Sequence, residues 1–221
     1  KVFKCRSNLC GTRLFMVHSS IKDKLLNLII KEIHKQFGKS VKESPDYPRI
    51  VNTASLNRLK KYINDGEIYY GGNIDNTELY MEPTILTNVD VNSNVMTEEI
   101  FGPILPVIEF ENIQEIIDFV NKREKPLALY YFSESKKSIN NILRCTTSGG
   151  VTINDTIIHV ANGNLPFGGV GYSGMGSYHG KASFDAFTHK RSVMERGTFV
   201  EFNVRFAPYK EKINILKKIM K

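Results

Sequence analysis

The sequence predicts an α/β fold, a largely parallel sheet with flanking helices, followed by a glycine-rich C-terminal tail. Three observations predict it. Between Glu67 and Asn154, short β-branched or apolar runs alternate with stretches of helical period, the pattern of βαβ units. Seven of the 16 glycines then crowd between Gly163 and Gly180, too many for a helix or a central strand. A hydrophobic share of 41% and a charged share of 24% are those of an ordinary globular protein, which excludes disorder, collagen and coiled coil.

The elements follow in order. Ile21, Leu25, Leu28, Ile29, Ile33 and Phe37 recur at helical spacing, with Ser19 or Ser20 available as a cap and Gly38 as a stop. Ser44-Pro45-Asp46-Tyr47-Pro48 reads as a loop. A second helix is predicted from Thr53 to about Asn64, with Leu56, Leu59, Tyr62 and Ile63 on one face. Glu67–Tyr70 and Pro83–Thr87 read as short strands, the proline standing at a strand start. Ile104 to Phe110 is a strand, and Ile113, Ile116, Ile117 and Val120 form a helical stripe. Leu127 to Phe132 is strand-like, Ser135 to Cys145 helical, and Gly150 to Asn154 a further strand. A short helix is expected around Ala182 to Phe187, before a basic end with Ile213, Leu216 and Ile219. The division falls near residue 160: an α/β domain over 1–160, then a glycine-rich loop and tail over 161–221.

The chain has 221 residues, with 30 Lys+Arg against 23 Asp+Glu, a formal charge of +7. The basic residues are dispersed, only Lys210 to Lys221 being dense, and no nucleic-acid-binding motif accompanies them. The charge reads as solvated surface, and no nucleic-acid partner is expected. Three cysteines at irregular spacing, Cys5, Cys10 and Cys145, argue for a reducing, cytoplasmic setting. No ligand spacing points to a metal. No apolar run approaches the ~20 residues a membrane span needs. The chain opens on Lys1 without a signal peptide and reads as the inside of a longer protein.

Three signals could carry chemistry. Gly169-Val170-Gly171-Tyr172-Ser173-Gly174 satisfies G-x-G-x-x-G. That motif cradles a phosphate only between a strand and a helix, and here Pro166 leads in and poor helix material leads out. It is rejected as a cradle. Glu98-Glu99-Ile100-Phe101-Gly102-Pro103 reads, taken alone, as a turn with a buried Phe. In combination, its carboxylate suits ribose hydroxyls and its aromatic suits a flat ring. Cys10 is read either as a small buried hydrophobe or as a nucleophile, which would need partial exposure and a cation, base or helix end beside it. Cys145, on the apolar side of its helix, is read as core.

Taken together these phrases resemble the aldehyde dehydrogenase superfamily, specifically its class 3 and fatty-aldehyde branch. The matching text runs from Tyr70-Gly71-Gly72 and Pro83–Thr87 through Glu98–Pro103, Arg123–Tyr130, Ser148–Val151 and Asn154-Asp155. The most specific stretch is Leu165–Gly171 with Ser173–Lys181. The resemblance implies oxidation of an aldehyde to the acid with NAD or NADP, through a cysteine thiohemiacetal and thioester. Residue by residue, it puts Cys10 at the nucleophile with Phe3 in register. Glu99 falls at the nicotinamide ribose, Phe101 against the nicotinamide, and Phe167 at the border of the aldehyde tunnel. The aldehyde would be medium- or long-chain or aromatic.

The sequence also departs from the family. Ser7-Asn8-Leu9-Cys10 stands where the family carries Gly-Gln-x-Cys, and the stretch from Cys10 to Val17 is one residue shorter. The family's dinucleotide-binding half, its water-activating glutamate and its oxyanion-binding asparagine lie upstream of the cysteine. The expectation is therefore the catalytic and C-terminal half of a longer enzyme, homodimeric when complete and inactive as this piece alone. The alternative is a truncated, inactive paralogue serving as an interaction or dimerisation module. The terminal stretch is too short for the branch's membrane anchor, and a docked or frayed helix is favoured over binding at a lipid interface.

Overall fold

The computed structural model describes residues 2–6, 14–199, 201, 206–209 and 212–219, the first five by backbone alone. Two strands, β1 (Val2–Arg6) and β2 (Leu14–His18), precede a 3-10 turn at Ser19–Ile21 and helix α1 (Lys22–Phe37). Then come α2 (Thr53–Ile63), β3 (Glu67–Tyr70), β4 (Ile74–Asp75), β5 (Tyr80–Met81) and β6 (Thr84–Thr87). The short α3 (Asn94–Thr97) leads to β7 (Ile104–Phe110), α4 (Ile113–Asn121), β8 (Ala128–Phe132), α5 (Lys136–Cys145) and β9 (Gly150–Ile153). A one-turn α6 (Ile158–Ala161) and α7 (Gly180–Phe187) follow.

Seven strands form one sheet in the order β3-β6-β7-β2-β1-β8-β9, and β4 and β5 form a separate antiparallel ribbon. β6, β7, β2, β8 and β9 share one direction, while β1 and β3 run against it. The parallel-rich α/β sheet expected from the alternating pattern is thus present, with β1 inserted between its two parallel blocks.

Strand β2 lies at the centre and is buried on both faces, as a parallel strand covered by helices must be. Leu14 and Met16 point into a core shared with Leu56, Leu59 and Tyr62 of α2, Ile116 and Val120 of α4, and Ile142 of α5. Phe15 and Val17 point the other way, onto Leu25, Leu26 and Ile29 of α1. The period of two along β2 meets the helical period of α1 and α2, and a three-layer sandwich results.

The helix starts are chemically specified. Asn112 caps α4, its side chain accepting from the amides of Gln114 (3.1 Å) and Glu115 (3.3 Å), while Glu115 accepts the Asn112 amide at 3.2 Å. This is the reciprocal capping box. Asn52 Oδ1 accepts the Ser55 amide at 2.8 Å for α2, and Ser135 Oγ the Ser138 amide at 3.3 Å for α5. The expected serine cap of α1 is not the one used. Its N-cap is Ile21, which makes no side-chain hydrogen bond, and the preceding turn is capped instead by His18, whose Nδ1 accepts the Ser20 amide at 3.2 Å. That turn consumes both serines before the α-helix begins.

The chain divides into two compact units, Lys1–Phe187 and Thr188–Lys221. In the second, Arg196 makes a two-pronged ion pair with Glu201 (3.0 and 2.6 Å), and α8 (Ile213–Ile219) is its one described helix. No helix among the described residues is long and apolar enough to cross a membrane.

Candidate active site

The segment that carries Glu99 and Phe101 joins α3 to β7, and α2 grips it along its length. Tyr62 donates its hydroxyl to Glu98 Oε2 at 2.5 Å. Arg58, one turn earlier on the same helix, donates from Nη1 to the Glu99 carbonyl at 2.6 Å and from Nη2 to the Ile100 carbonyl at 2.8 Å. Ile100 is buried in the core. Gly102 lies against Leu59, where a Cβ would fall 2.4 Å from Leu59 Cδ2. The Pro103 carbonyl accepts the Thr84 amide at 2.7 Å, which opens the pairing of β6 with β7.

Between these anchors Phe101 adopts φ +41°, the left-handed region that non-glycine residues enter at a cost. Its ring is 62% exposed. The reading of this phrase as a turn around a buried Phe is therefore corrected. Ile100 supplies the buried anchor, and the φ of Phe101 turns its own side chain away from the core.

Beside the segment lies a cleft of about 650 Å³, whose walls include Leu14, Glu99, Phe119, Arg123, Tyr172 and Ser173. Among the described residues nothing hydrogen-bonds the Glu99 carboxylate, which leaves two strong acceptor oxygens on the cleft wall. Arg123 is held in place by donation to the carbonyls of Val91 and Met96 and by its guanidinium lying 4.4 Å from the Phe119 ring centroid. Leu14, four positions beyond Cys10, brings the start of β2 to the same cleft. Cys10 itself lies outside the described residues.

Phe167 is 4% exposed and does not line this cleft. Its backbone pairs with Tyr178 in both directions at 2.9 Å, and its ring is surrounded by those of His159 (5.7 Å), Tyr178 (5.7 Å) and His179 (6.2 Å). His159 Nδ1 and Thr152 Oγ1 are 2.8 Å apart. The glycines around Phe167 serve close backbone approach: a Cβ on Gly169 would lie 2.0 Å from the Ser173 carbonyl oxygen. Within G-x-G-x-x-G lies only a single 3-10 turn, Gly171–Ser173, and no helix follows until Gly180, so the aligned amides of a phosphate-binding helix are missing there. Cys145, read as core, is instead exposed. It ends α5 beyond Ile142, the last residue of that helix that reaches the core.

The arrangement thus joins Glu99 to Leu14 and Tyr172 across one cleft, leaves Phe101 exposed two residues along from Glu99 without lining that cleft, and keeps Phe167 in an aromatic cluster of its own. The sequence places Tyr62 on the apolar face of a helix and Arg123 at the start of a matching phrase, but assigns neither of them, nor Arg58, a part in the site. The only hint was the i,i+4 spacing of Arg58 and Tyr62 on a predicted helix.

The Glu99 carboxylate thus offers hydrogen-bond acceptors on the cleft wall. Comparison with known proteins gives the family. The profile of the aldehyde dehydrogenase family matches residues 6–193. The 4,4'-diaponeurosporen-aldehyde dehydrogenase of Staphylococcus aureus is 45% identical over 208 residues, covering 93% of this chain and 45% of that protein. The dimeric NADP-preferring aldehyde dehydrogenase of Rattus norvegicus is 45% identical, covering 82% of this chain and 40% of that protein. A solved structure of the substrate-bound state of Staphylococcus aureus AldH superposes with a TM-score of 0.80 at 45% identity, covering 93% of this chain and 45% of its own. The chain spans less than half the length of these relatives. It is a member of the aldehyde dehydrogenase family.

Proposed function

We propose that the full-length protein containing this chain oxidises an aldehyde to its carboxylic acid with NAD or NADP, and that Cys10 is the nucleophile. The observation that carries this reading is the shared cleft. Leu14, shortly after Cys10, and Glu99, with its unengaged carboxylate, line the same space. The Cys10 thiolate adds to the carbonyl carbon, the C=O electron pair moves to oxygen, and a tetrahedral thiohemiacetal forms. NAD or NADP, when bound, would supply the acceptor for the hydride that this carbon gives up. Cys10 then holds the acyl group as a thioester until water releases the acid and restores the thiol.

Glu99 accepts hydrogen bonds from the ribose diol, and Phe101 presents its exposed ring to the nicotinamide. Both NAD and NADP remain within this reading, and one relative is named for its preference for NADP. Phe167 borders the aldehyde tunnel from its aromatic cluster, which suits a medium- or long-chain or aromatic aldehyde. The complete enzyme is a homodimer in the cytoplasm. The dimeric relative at 45% identity supports the pairing.

The test uses the full-length protein. Aldehyde-dependent formation of NADH or NADPH is lost in Cys10→Ser, and equilibrium binding of the reduced cofactor weakens in Glu99→Gln. Full turnover in Cys10→Ser overturns the assignment of the nucleophile.

A further inference from the structure

The geometry points to Arg58 as the positioning residue of the cofactor-binding segment, acting on Glu99 and Phe101 through their backbone; this rests on the reading of those two residues given above. Arg58 is half-buried and sends two nitrogens of one planar fork to two consecutive carbonyls, those of Glu99 and Ile100. Nη1 also donates to the Tyr62 hydroxyl at 3.0 Å, and that hydroxyl donates in turn to Glu98. One helix thereby holds three successive residues, 98, 99 and 100, by polar contacts, and packs Leu59 against Gly102 with no room for a side chain there.

The residue left between these grips is Phe101, whose φ of +41° is a conformation that persists only where its surroundings over-determine it. Arg58 supplies the upstream half of that constraint, and the Thr84–Pro103 bond with the Leu59 contact supplies the downstream half. Without the guanidinium, the two carbonyls turn to solvent and Phe101 relaxes to an ordinary backbone angle. The Glu99 carboxylate and the Phe101 ring then lose their fixed stations beside the cleft. A lysine at position 58 carries the charge but not the fork, and can reach one carbonyl at a time.

The experiment compares Arg58→Met, Arg58→Lys and Glu99→Gln in the full-length protein. Three quantities are read: equilibrium binding of NADH and NADPH by fluorescence, cofactor-free acylation of the reactive thiol by p-nitrophenyl acetate, and amide hydrogen exchange over residues 98–103. Arg58→Met is expected to weaken cofactor binding about tenfold, the factor set by losing one net charged hydrogen bond. It should also speed exchange of the segment's amides and leave thiol acylation within about twofold of the parent. Arg58→Lys should recover part of the binding. If Arg58→Met fails to fold, Arg58→Lys and Tyr62→Phe make the same comparison in milder form. Unchanged cofactor binding in Arg58→Met alongside weakened binding in Glu99→Gln overturns the role of Arg58 alone. Binding and thiol acylation falling together also overturns it, since that marks general loss of structure. Unchanged binding in Glu99→Gln overturns the reading of the segment itself, and the role of Arg58 with it.

Discussion

The Tyr62 hydroxyl lies 2.5 Å from Glu98 Oε2 and 3.0 Å from Arg58 Nη1, so a single phenol links α2 to the segment that precedes β7. The ring is buried in the core with the Arg58 guanidinium 5.3 Å from its centroid, and its oxygen makes the hydrogen bonds.

Replacing that oxygen alone should therefore separate packing from anchoring. Tyr62→Phe keeps the ring in place and removes one donor and one acceptor. Because the Glu98 carboxylate is exposed, the loss is modest, about 1 kcal/mol. Urea unfolding should show the midpoint lowered with the m-value unchanged.

The glycine-rich loop offers a sharper contrast. At Gly169 a methyl group would meet Ser173 backbone atoms at 2.0 and 2.2 Å, whereas at Gly163 nothing lies within 4 Å. Backbone cannot yield as a side-chain tip can. Gly169→Ala should cost about 2 kcal/mol or more and loosen the pairing of Phe167 with Tyr178, while Gly163→Ala stays within about 0.5 kcal/mol of the parent. Thermal unfolding of the two variants side by side checks this.

The ion pair that ties Lys42 to the ribbon of β4 and β5 should weaken in acid. The Lys42 ammonium, 2.7 Å from Asp75 Oδ2, together with the hydroxyl and amide of Thr77, holds the Asp75 carboxyl well below the usual carboxylate range. Asp75, with help from Glu78, pushes Lys42 upward. A lowered carboxyl stabilises the fold above its unfolded value of about 4, and that stability fades as pH falls through the folded value. A raised ammonium stabilises below about 10.4 and loses its effect as pH rises through the folded value. This pair therefore contributes a flat plateau from about pH 5 to 9 and a decline on either side. Melting curves from pH 2 to 7 should show a shallower acid decline in Lys42→Met than in the parent.

How much was legible in the sequence follows from how local each determinant is. The helix from Lys22 to Phe37 and the strand from Ile104 to Phe110 announce themselves by period and β-branching, and the capping box of Asn112 and Glu115 marks a helix start within four residues. Strand β2 escaped notice because Leu14 to Val17 is four apolar residues in a row. A strand buried on both faces shows no alternation, and so short a run matches a helix equally well. The exposure of Phe101 and Cys145 could not be read from residue type, since hydrophobicity describes a preference while a backbone angle or a helix end decides the outcome. At the candidate site, the phrase around Glu99 and Phe101 draws attention to those two residues from sequence alone. No phrase marks Arg58, because it meets its carbonyls across 41 and 42 residues of chain, a distance at which no spacing rule operates.

Strand β1 has a consequence for any shortened form of the protein. It is the seam of the sheet: β2 pairs with it on one side and β8 on the other, and β2 and β8 never meet. A product that began at Leu14 would leave two half-sheets with raw hydrogen-bonding borders facing each other across a missing rung. Such borders recruit whatever extended backbone is at hand, so an internal start at Leu14 would favour aggregation over a smaller working fold.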